Sequence, residues 1–322
     1  MADELLQVRV DRKVPEARDI FRFELVDPDG KPLPAFTAGA HVDVHMGNGL
    51  MRQYSLCNDP KERHRYVIGV LRDPKSRGGS IHMHDKVNEG DILRVCAPKN
   101  HFPLAADARR SLLLPGGIGV TPLLAMAEHL TDQGADFEMH YCTRSRDRTA
   151  FMDRIKGSAF ATRVKYHFDD GPPEQLLDIP ALLSEPAEGL HLYVCGPSGF
   201  LDHVRNSAAQ KGWPTERVHF EYFASSSTQK LDTDAGFEVQ IASTGNVYFI
   251  PKDKTIAKAL FEYGVDIPVS CEGGVCGTCL TRVLEGEPDH RDYFLTLEER
   301  AQNDQILPCC SRSKTARLVL DL

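Results

Sequence analysis

The sequence predicts a multidomain chain in which an antiparallel β-barrel, an α/β unit on a parallel sheet and a small α+β module follow one another. Three observations carry this reading. Short β-rich runs broken by turn signals fill the first hundred or so residues, apolar strands alternate with helical patterns from Ser111, and the texture changes again after a polar stretch near residue 225. With 322 residues and 41% hydrophobic side chains, the chain can bury two or three cores of ordinary domain size. The expected divisions are 1–105, 106–224, a linker at 225–236, and 237–322.

In the first division, Asp27-Pro28-Asp29-Gly30, Gly47-Asn48-Gly49 and Asn88-Glu89-Gly90 mark turns between pieces such as Tyr66–Leu71. Arg52-Gln53-Tyr54-Ser55-Leu56 alternates as a strand does, which puts Arg52 and Tyr54 on one face. An arginine fits a phosphate and a tyrosine flanks a flat ring, although an edge strand with an exposed arginine is the plainer reading. Gly78-Gly79-Ser80 then opens a short helix, and a helix N-terminus with a hydroxyl suits a phosphate. His82 and His84 lie two apart on that helix, on different faces, so solvated or capping roles suit them better than a metal pair.

In the second division, Leu112-Leu113-Leu114 is a buried strand that runs into Pro115-Gly116-Gly117-Ile118-Gly119-Val120-Thr121-Pro122. Thr121 fits an N-cap and Pro122 the first helical position of a helix with Leu123, Met126, Ala127 and Leu130 on one face and Gly134 beyond its end. Strands at Glu138–Cys142 and His191–Cys195 complete a βαβ pattern, and the second of them ends in Cys195-Gly196-Pro197 before another helix. Glycine turns between strand and helix let backbone approach a pyrophosphate; a plain glycine turn is the other reading. Thr143-Arg144-Ser145-Arg146 follows the second strand, where two arginines either grip a ribose phosphate or are solvated loop charges.

The third division predicts strands at Phe237–Ile241 and Val247–Ile250, a helix from Thr255 to Tyr263 closed by Gly264, and a late strand at Leu318–Leu320. Its cysteines are spaced Cys271-x4-Cys276-x2-Cys279-x29-Cys309, the arrangement that wraps four thiolates around a plant-type 2Fe-2S cluster. A four-cysteine zinc site is the alternative, but zinc ribbons present two separated Cys-x2-Cys pairs. Neighbouring residues on an extended chain face opposite ways, so only one of Cys309 and Cys310 can ligate; the separation from Cys279 favours Cys309. Cys57, Cys96 and Cys142 fit no such pattern and are expected to be core thiols.

Formal net charge is −8, and residues 225–322 hold −5 of it, with ten Lys or Arg against fifteen Asp or Glu. That surface repels nucleic acid phosphates and suits a basic protein partner, unless it serves solubility alone. The N-terminus lacks a basic region followed by an apolar run, and no stretch of about 18 apolar residues occurs. The expectation is a soluble, cytoplasmic, reduced protein with no membrane and no nucleic acid among its partners.

Arg-x-Tyr-Ser with a later Gly-Ser turn, then Gly-Gly-x-Gly-x-Thr-Pro, then Cys-Gly-Pro, together resemble the ferredoxin-NADP reductase-like flavoproteins. With the cysteine loop last, essentially the whole chain resembles the phthalate dioxygenase reductase class, which includes the reductases of vanillate demethylase and similar aromatic-ring oxygenases. The resemblance implies an FMN-binding barrel, an NAD-binding α/β domain and a C-terminal β-grasp ferredoxin. It implies that Arg52 and Ser80 hold FMN phosphate at the Gly79 turn, that Tyr54 packs on the isoalloxazine and that Ser55 lies near its N5. Gly116, Gly117, Gly119, Thr121, Pro122, Cys195, Gly196 and Pro197 would line the NADH site, with Thr121 and Cys195 beside the nicotinamide, while Phe223 covers the flavin or packs on the barrel. Ser55, Thr121 and Cys195 are thus the expected catalytic set, and Cys271, Cys276, Cys279 and Cys309 the cluster ligands. The residues alone leave NADH and NADPH open; the relatives favour NADH. The implied relay runs from NADH through FMN and the 2Fe-2S cluster to the Rieske centre of an oxygenase component. A stand-alone reductase serving a cytochrome or ferredoxin, and a non-enzymatic zinc module, are the rival readings.

Overall fold

The computed structural model describes residues 5–46, 50–74, 78–223, 235–269, 272–274 and 277–322. The N-terminal Met1–Glu4, the expected turn at Gly47-Asn48-Gly49, most of the expected linker at 225–236, and the predicted ligands Cys271 and Cys276 lie outside the described residues. The chain forms two compact units, Met1–Glu221 and Tyr222–Leu322.

The first unit begins with β1 (Leu5–Ala17), β2 (Ile20–Val26), β3 (His41–His45), β4 (Met51–Ser55), β5 (Tyr66–Leu71), helix α1 (Gly79–Asp85) and β6 (Ile92–Cys96). These strands form an antiparallel sheet in the order β4-β3-β6-β1-β2-β5. Strand β1 bends through irregularities at Val10/Arg12 and Pro15/Ala17 and so pairs with both β2 and β6. The two ends of the sheet meet where Leu56 bridges Ile68, which closes it into a barrel. Alternating inward residues such as Val8, Phe23, Leu25, Val42, Val44 and Val95 fill the interior, with Met83 of α1 among them.

The same unit continues with β7 (Arg110–Pro115), α2 (Val120–Asp132), β8 (Asp136–Thr143), α3 (Met152–Lys156), β9 (Val164–Phe168), α4 (Ile179–Leu182), β10 (Leu190–Gly196), α5 (Ser198–Gln210) and β11 (Val218–Tyr222). The sheet order is β11-β10-β7-β8-β9, with β10, β7, β8 and β9 running parallel. Helix α2 is buried on more than the one face its periodicity suggests: Val120, Leu124 and Ala125 are enclosed along with Leu123, Met126 and Ala127. One side of it meets this sheet, and Ile20, Cys57 and Val67 of the barrel strands and their margins join the same apolar cluster. A helix that is apolar all round needs cover all round, and here two sheets supply it.

The second unit carries β12 (Phe237–Ile241), β13 (Val247–Ile250), α6 (Ile256–Glu262), β14 (Thr281–Glu285), β15 (Pro288–Asp289), α7 (Leu297–Gln302), β16 (Gln305–Ile306), β17 (Arg312–Ser313) and β18 (Arg317–Leu320). The sheet order is β13-β12-β18-β14-β16, with the late strand β18 inserted parallel to β12, and β15 pairs with β17 in a separate ribbon. Thr255 caps α6 by accepting the Lys258 N–H, and Gly264 follows with φ +83°. Ile256, Ala259 and Leu260 pack onto Val239, Ile306 and Leu318, and Cys279, Cys309 and Cys310 lie in the same core. Among the described residues no helix is long and apolar enough to cross a membrane.

Candidate functional site

The barrel brings Arg52 and the Gly79-Ser80 turn together across the distance between β4 and α1. A Cβ placed on Gly79 would fall 2.6 Å from Arg52 Cγ and 2.8 Å from its Nε, so only glycine lets the guanidinium arm cross the start of α1. Arg52 Nη1 donates to the Met51 carbonyl at 2.7 Å, and the Ser80 hydroxyl accepts the Asp73 N–H at 3.2 Å. Tyr54 stands two residues along β4, half-buried against the barrel core; burial pushes its phenol up, and the Arg52 charge opposes that. His84 turns inward to the Val70 carbonyl at 2.8 Å and lies edge-on to Phe21, and burial pushes its imidazole down. It is a core histidine and not the solvated or capping residue expected from its spacing, because α1 turns its ring toward the barrel wall.

The two glycine turns of the parallel sheet lock onto each other backbone to backbone. Gly116 N–H donates to the Cys195 carbonyl at 2.8 Å, and a Cβ on Gly119 would fall 2.1 Å from that same oxygen. A Cβ on Gly196 would lie 2.9 Å from Gly116 Cα. Gly117 continues the turn, and Pro122 sits inside the first turn of α2, fully enclosed. Pro197 is the N-cap of α5. Thr121 is not the N-cap the sequence suggested. A 3₁₀ turn at Gly117–Gly119 starts the helix early, Gly119 takes the cap position, and the Thr121 hydroxyl donates back to the Ile118 carbonyl at 3.0 Å. Past β8, Arg144 and Arg146 are exposed, while Asp169 and Asp170 donate their N–H groups to the Thr143 and Arg144 carbonyls. Cys142 is half-buried rather than fully enclosed, unlike Cys57 and Cys96, because it lies at this open end of β8 beside Gly116; burial still pushes its thiol up to about 12.

Where barrel and parallel sheet meet, the expected catalytic side chains converge. Thr121 approaches Gly69 of β5, where an added Cβ would lie 2.9 Å from Thr121 Cγ2. Ser55, at the end of β4, and Cys195, at the end of β10, are both buried. Between them stands Glu221 of β11, which motif reading missed. Part of this residue reaches the surface, but its carboxyl is enclosed: it hydrogen-bonds Ser55, and Oε2 has no partner among the described residues. Burial pushes the Glu221 carboxyl up to about 8, against the Ser55 hydrogen bond that lowers it. Burial likewise raises the Cys195 thiol, and the Glu221 charge adds to it. An orphaned carboxyl oxygen next to a hydroxyl and a thiol fits a polar ring edge such as the flavin and nicotinamide would present. Phe223 directly follows β11 and is 37% exposed.

In the second unit, Cys279 and Cys309 are buried thiols, and none of the seven described cysteines forms a disulfide. Gly274 and Gly277 adopt φ +73° and +71°, and a Cβ on Gly274 would fall 2.5 Å from the Cys310 sulfur. Cys310 is already bonded within the unit: its thiol donates to the Leu307 carbonyl at 3.6 Å and lies 3.7 Å from the Ser311 hydroxyl. The neighbouring Cys309 sulfur, then burial, push that thiol far up. Buried thiols, glycine turns that a side chain would block and an enclosed apolar wall form a donor set suited to a 2Fe-2S cluster.

A 2Fe-2S iron-sulfur cluster binding domain model matches residues 239–314. The chain is 53% identical over 306 residues to a vanillate O-demethylase oxidoreductase of a Pseudomonas species, covering 95% of this chain and 96% of that one. A solved phthalate dioxygenase reductase, described as a modular structure for electron transfer from pyridine nucleotides to 2Fe-2S, superposes with TM-score 0.77 at 42% identity, covering 99% of this chain and 98% of the other. An intact type IV self-sufficient cytochrome monooxygenase superposes with TM-score 0.84 at 38% identity; 99% of this chain matches 41% of that larger one.

Proposed function

We propose, on the premise that this chain belongs to the phthalate dioxygenase reductase family, that it passes electrons from NADH to the Rieske centre of an oxygenase component acting on an aromatic compound. The chain is an NADH-dependent flavin and 2Fe-2S oxidoreductase of an oxygenase system. When bound, FMN takes electrons in pairs and releases them singly, and the 2Fe-2S cluster carries one at a time. The protein's part is to hold these groups in place.

Arg52 and Ser80 would hold the FMN phosphate at the Gly79 turn, where Arg52 would supply a charge-assisted hydrogen bond. Tyr54 would pack on the flavin ring. Gly116, Gly117, Gly119, Gly196 and Pro197 let the dinucleotide approach backbone, and Pro122 fixes the start of the helix behind it. Thr121 and Cys195 would line the nicotinamide site, and Ser55 the flavin site next to it. Glu221 keeps a proton on its enclosed carboxyl at neutral pH, beside the Ser55 hydroxyl that hydrogen-bonds it, so an uncompensated charge is avoided where electrons are transferred. Cys271, Cys276, Cys279 and Cys309 ligate the cluster, with Cys310 as a structural thiol because its hydrogen is committed to Leu307. A reducing cytoplasmic location suits a chain whose described cysteines are all outside disulfides. The acidic 225–322 segment favours a basic partner surface.

The observation that carries this reading is the convergence of Ser55, Glu221, Cys195 and Thr121, drawn from four elements, at the junction of barrel and parallel sheet. The structural likeness to part of a cytochrome monooxygenase favours a second acceptor class, a haem protein. Both are tested by mixing the NADH-reduced protein anaerobically with a purified Rieske oxygenase component or a cytochrome. Rapid bleaching of the Rieske absorbance is expected; reduction of the cytochrome alone would transfer the proposal to the second class.

A further inference from the structure

Segment 290–295 straps the cysteine loop of the second unit. Tyr293 N–H donates to the Gly274 carbonyl at 2.8 Å, and a Cβ on Gly274 would lie 2.8 Å from Asp292 Cα. Asp292 closes the strap from inside with a side chain that is 0% exposed. Its Oδ2 accepts the Phe294 and Leu295 N–H groups at 3.1 and 2.8 Å. Its Oδ1 accepts from the Ser311 hydroxyl at 3.5 Å and faces His290 Nδ1 at 3.6 Å. Arg300 Nη2 lies 3.5 Å from Oδ2 and also donates to the Asp292 carbonyl. Ser311 in turn accepts the Arg291 N–H at 3.1 Å and stands 3.7 Å from the Cys310 sulfur.

An amide oxygen would accept the same two backbone N–H bonds, so the turn alone does not require a carboxylate. Burying a charge costs free energy, and a single partly exposed arginine at 3.5 Å offsets only part of that cost. What a carboxylate adds over an amide is a fixed negative field inside the core that also holds Cys279 and Cys309. Reduction places another electron on a centre already surrounded by thiolates, and a nearby buried anion opposes it in a low dielectric.

We propose that Asp292 is a positioning residue for the iron-sulfur centre, whose buried carboxylate holds the cysteine loop in place and lowers the centre's reduction potential. This rests on the 2Fe-2S reading of the cysteine loop. The test is a redox titration of the purified holoprotein, read by electron paramagnetic resonance of the reduced cluster, for wild type, Asp292→Asn and Arg300→Gln. Asp292→Asn is expected to raise the midpoint, and Arg300→Gln, which uncovers the carboxylate, to lower it; a purely structural role predicts no such opposite signs. An unchanged midpoint in an Asn variant that retains its cluster overturns the inference. Should the Asn variant lose its cluster, Arg300→Gln decides, and a midpoint that does not fall overturns it equally. Iron and acid-labile sulfide in the wild type are assayed first: their absence overturns the cluster reading itself, an outcome distinct from an intact centre with an unmoved midpoint.

Discussion

At Glu221, burial keeps a carboxyl protonated up to about 8, whereas an unfolded chain releases that proton near 4.5. Between those values the folded state holds the extra proton, so stability is full below the lower one and is lost as pH rises through the upper. His41, His140 and His219, pushed down to about 4 by burial, act in the opposite sense. Their contribution is complete by about pH 6.5, the ordinary histidine value, which leaves the interval from about 7 to 8 to Glu221. Over that interval urea denaturation of the wild type should show stability falling by up to roughly 1.4 kcal/mol per pH unit, and Glu221→Gln should flatten the slope. Equal slopes in the two proteins would mean that the carboxyl is solvated. Arg52→Ala should weaken FMN retention by about 1–3 kcal/mol in a binding titration, and unchanged affinity would remove Arg52 from the site. The two residues differ in legibility. The expectation for Arg52 came from strand alternation, which paired it with Tyr54, and from the glycine turn that followed, which the fold sets beside it. Glu221 carries no motif: an acid in a strand looks like surface until β11 sets its carboxyl against Ser55.

Among the elements, the strand-turn-helix from β7 into α2 is the most constrained. Gly119 touches the Cys195 carbonyl so closely that Gly119→Ala must push β10 and α2 apart. The expected outcome is a loss of roughly 1–3 kcal/mol in stability, read by thermal denaturation, together with a large fall in the rate at which NADH bleaches the flavin. A variant with wild-type rate would mean that the two turns do not hold the nucleotide jointly. The alternation of apolar strand and helix made this element legible, but its first turn was not. Thr121 and Pro122 look like a cap and first position, and the 3₁₀ turn of three residues moved the cap back to Gly119. The full burial of α2 had a signal in Val120, Leu124 and Ala125, off the expected face; what covers them, the barrel strands, is a tertiary fact. In the second unit, β12, β13 and α6 followed from local pattern, whereas the insertion of β18 between β12 and β14 depends on a pairing remote in sequence.

For the whole molecule, the order of modules was legible because each carries its own glycine or cysteine signature, and relatives sharing that order cover nearly the full chain. The choice between Cys309 and Cys310 rested on spacing alone; the inward hydrogen bond of Cys310 is what the fold adds. If the modules divide the labour, Cys276→Ser should abolish reduction of an external acceptor while NADH still bleaches the flavin, and loss of that bleaching in a folded variant would contradict the division. The account's central claim is that one polypeptide couples a two-electron donor to a one-electron carrier. Its most direct test is an anaerobic NADH titration of the purified protein, followed by visible absorbance and electron paramagnetic resonance together. Bleaching of a flavin band accompanied by the signal of a reduced 2Fe-2S cluster is the predicted result; a protein that lacks the flavin band, or whose cluster stays oxidised at every NADH addition, would contradict it.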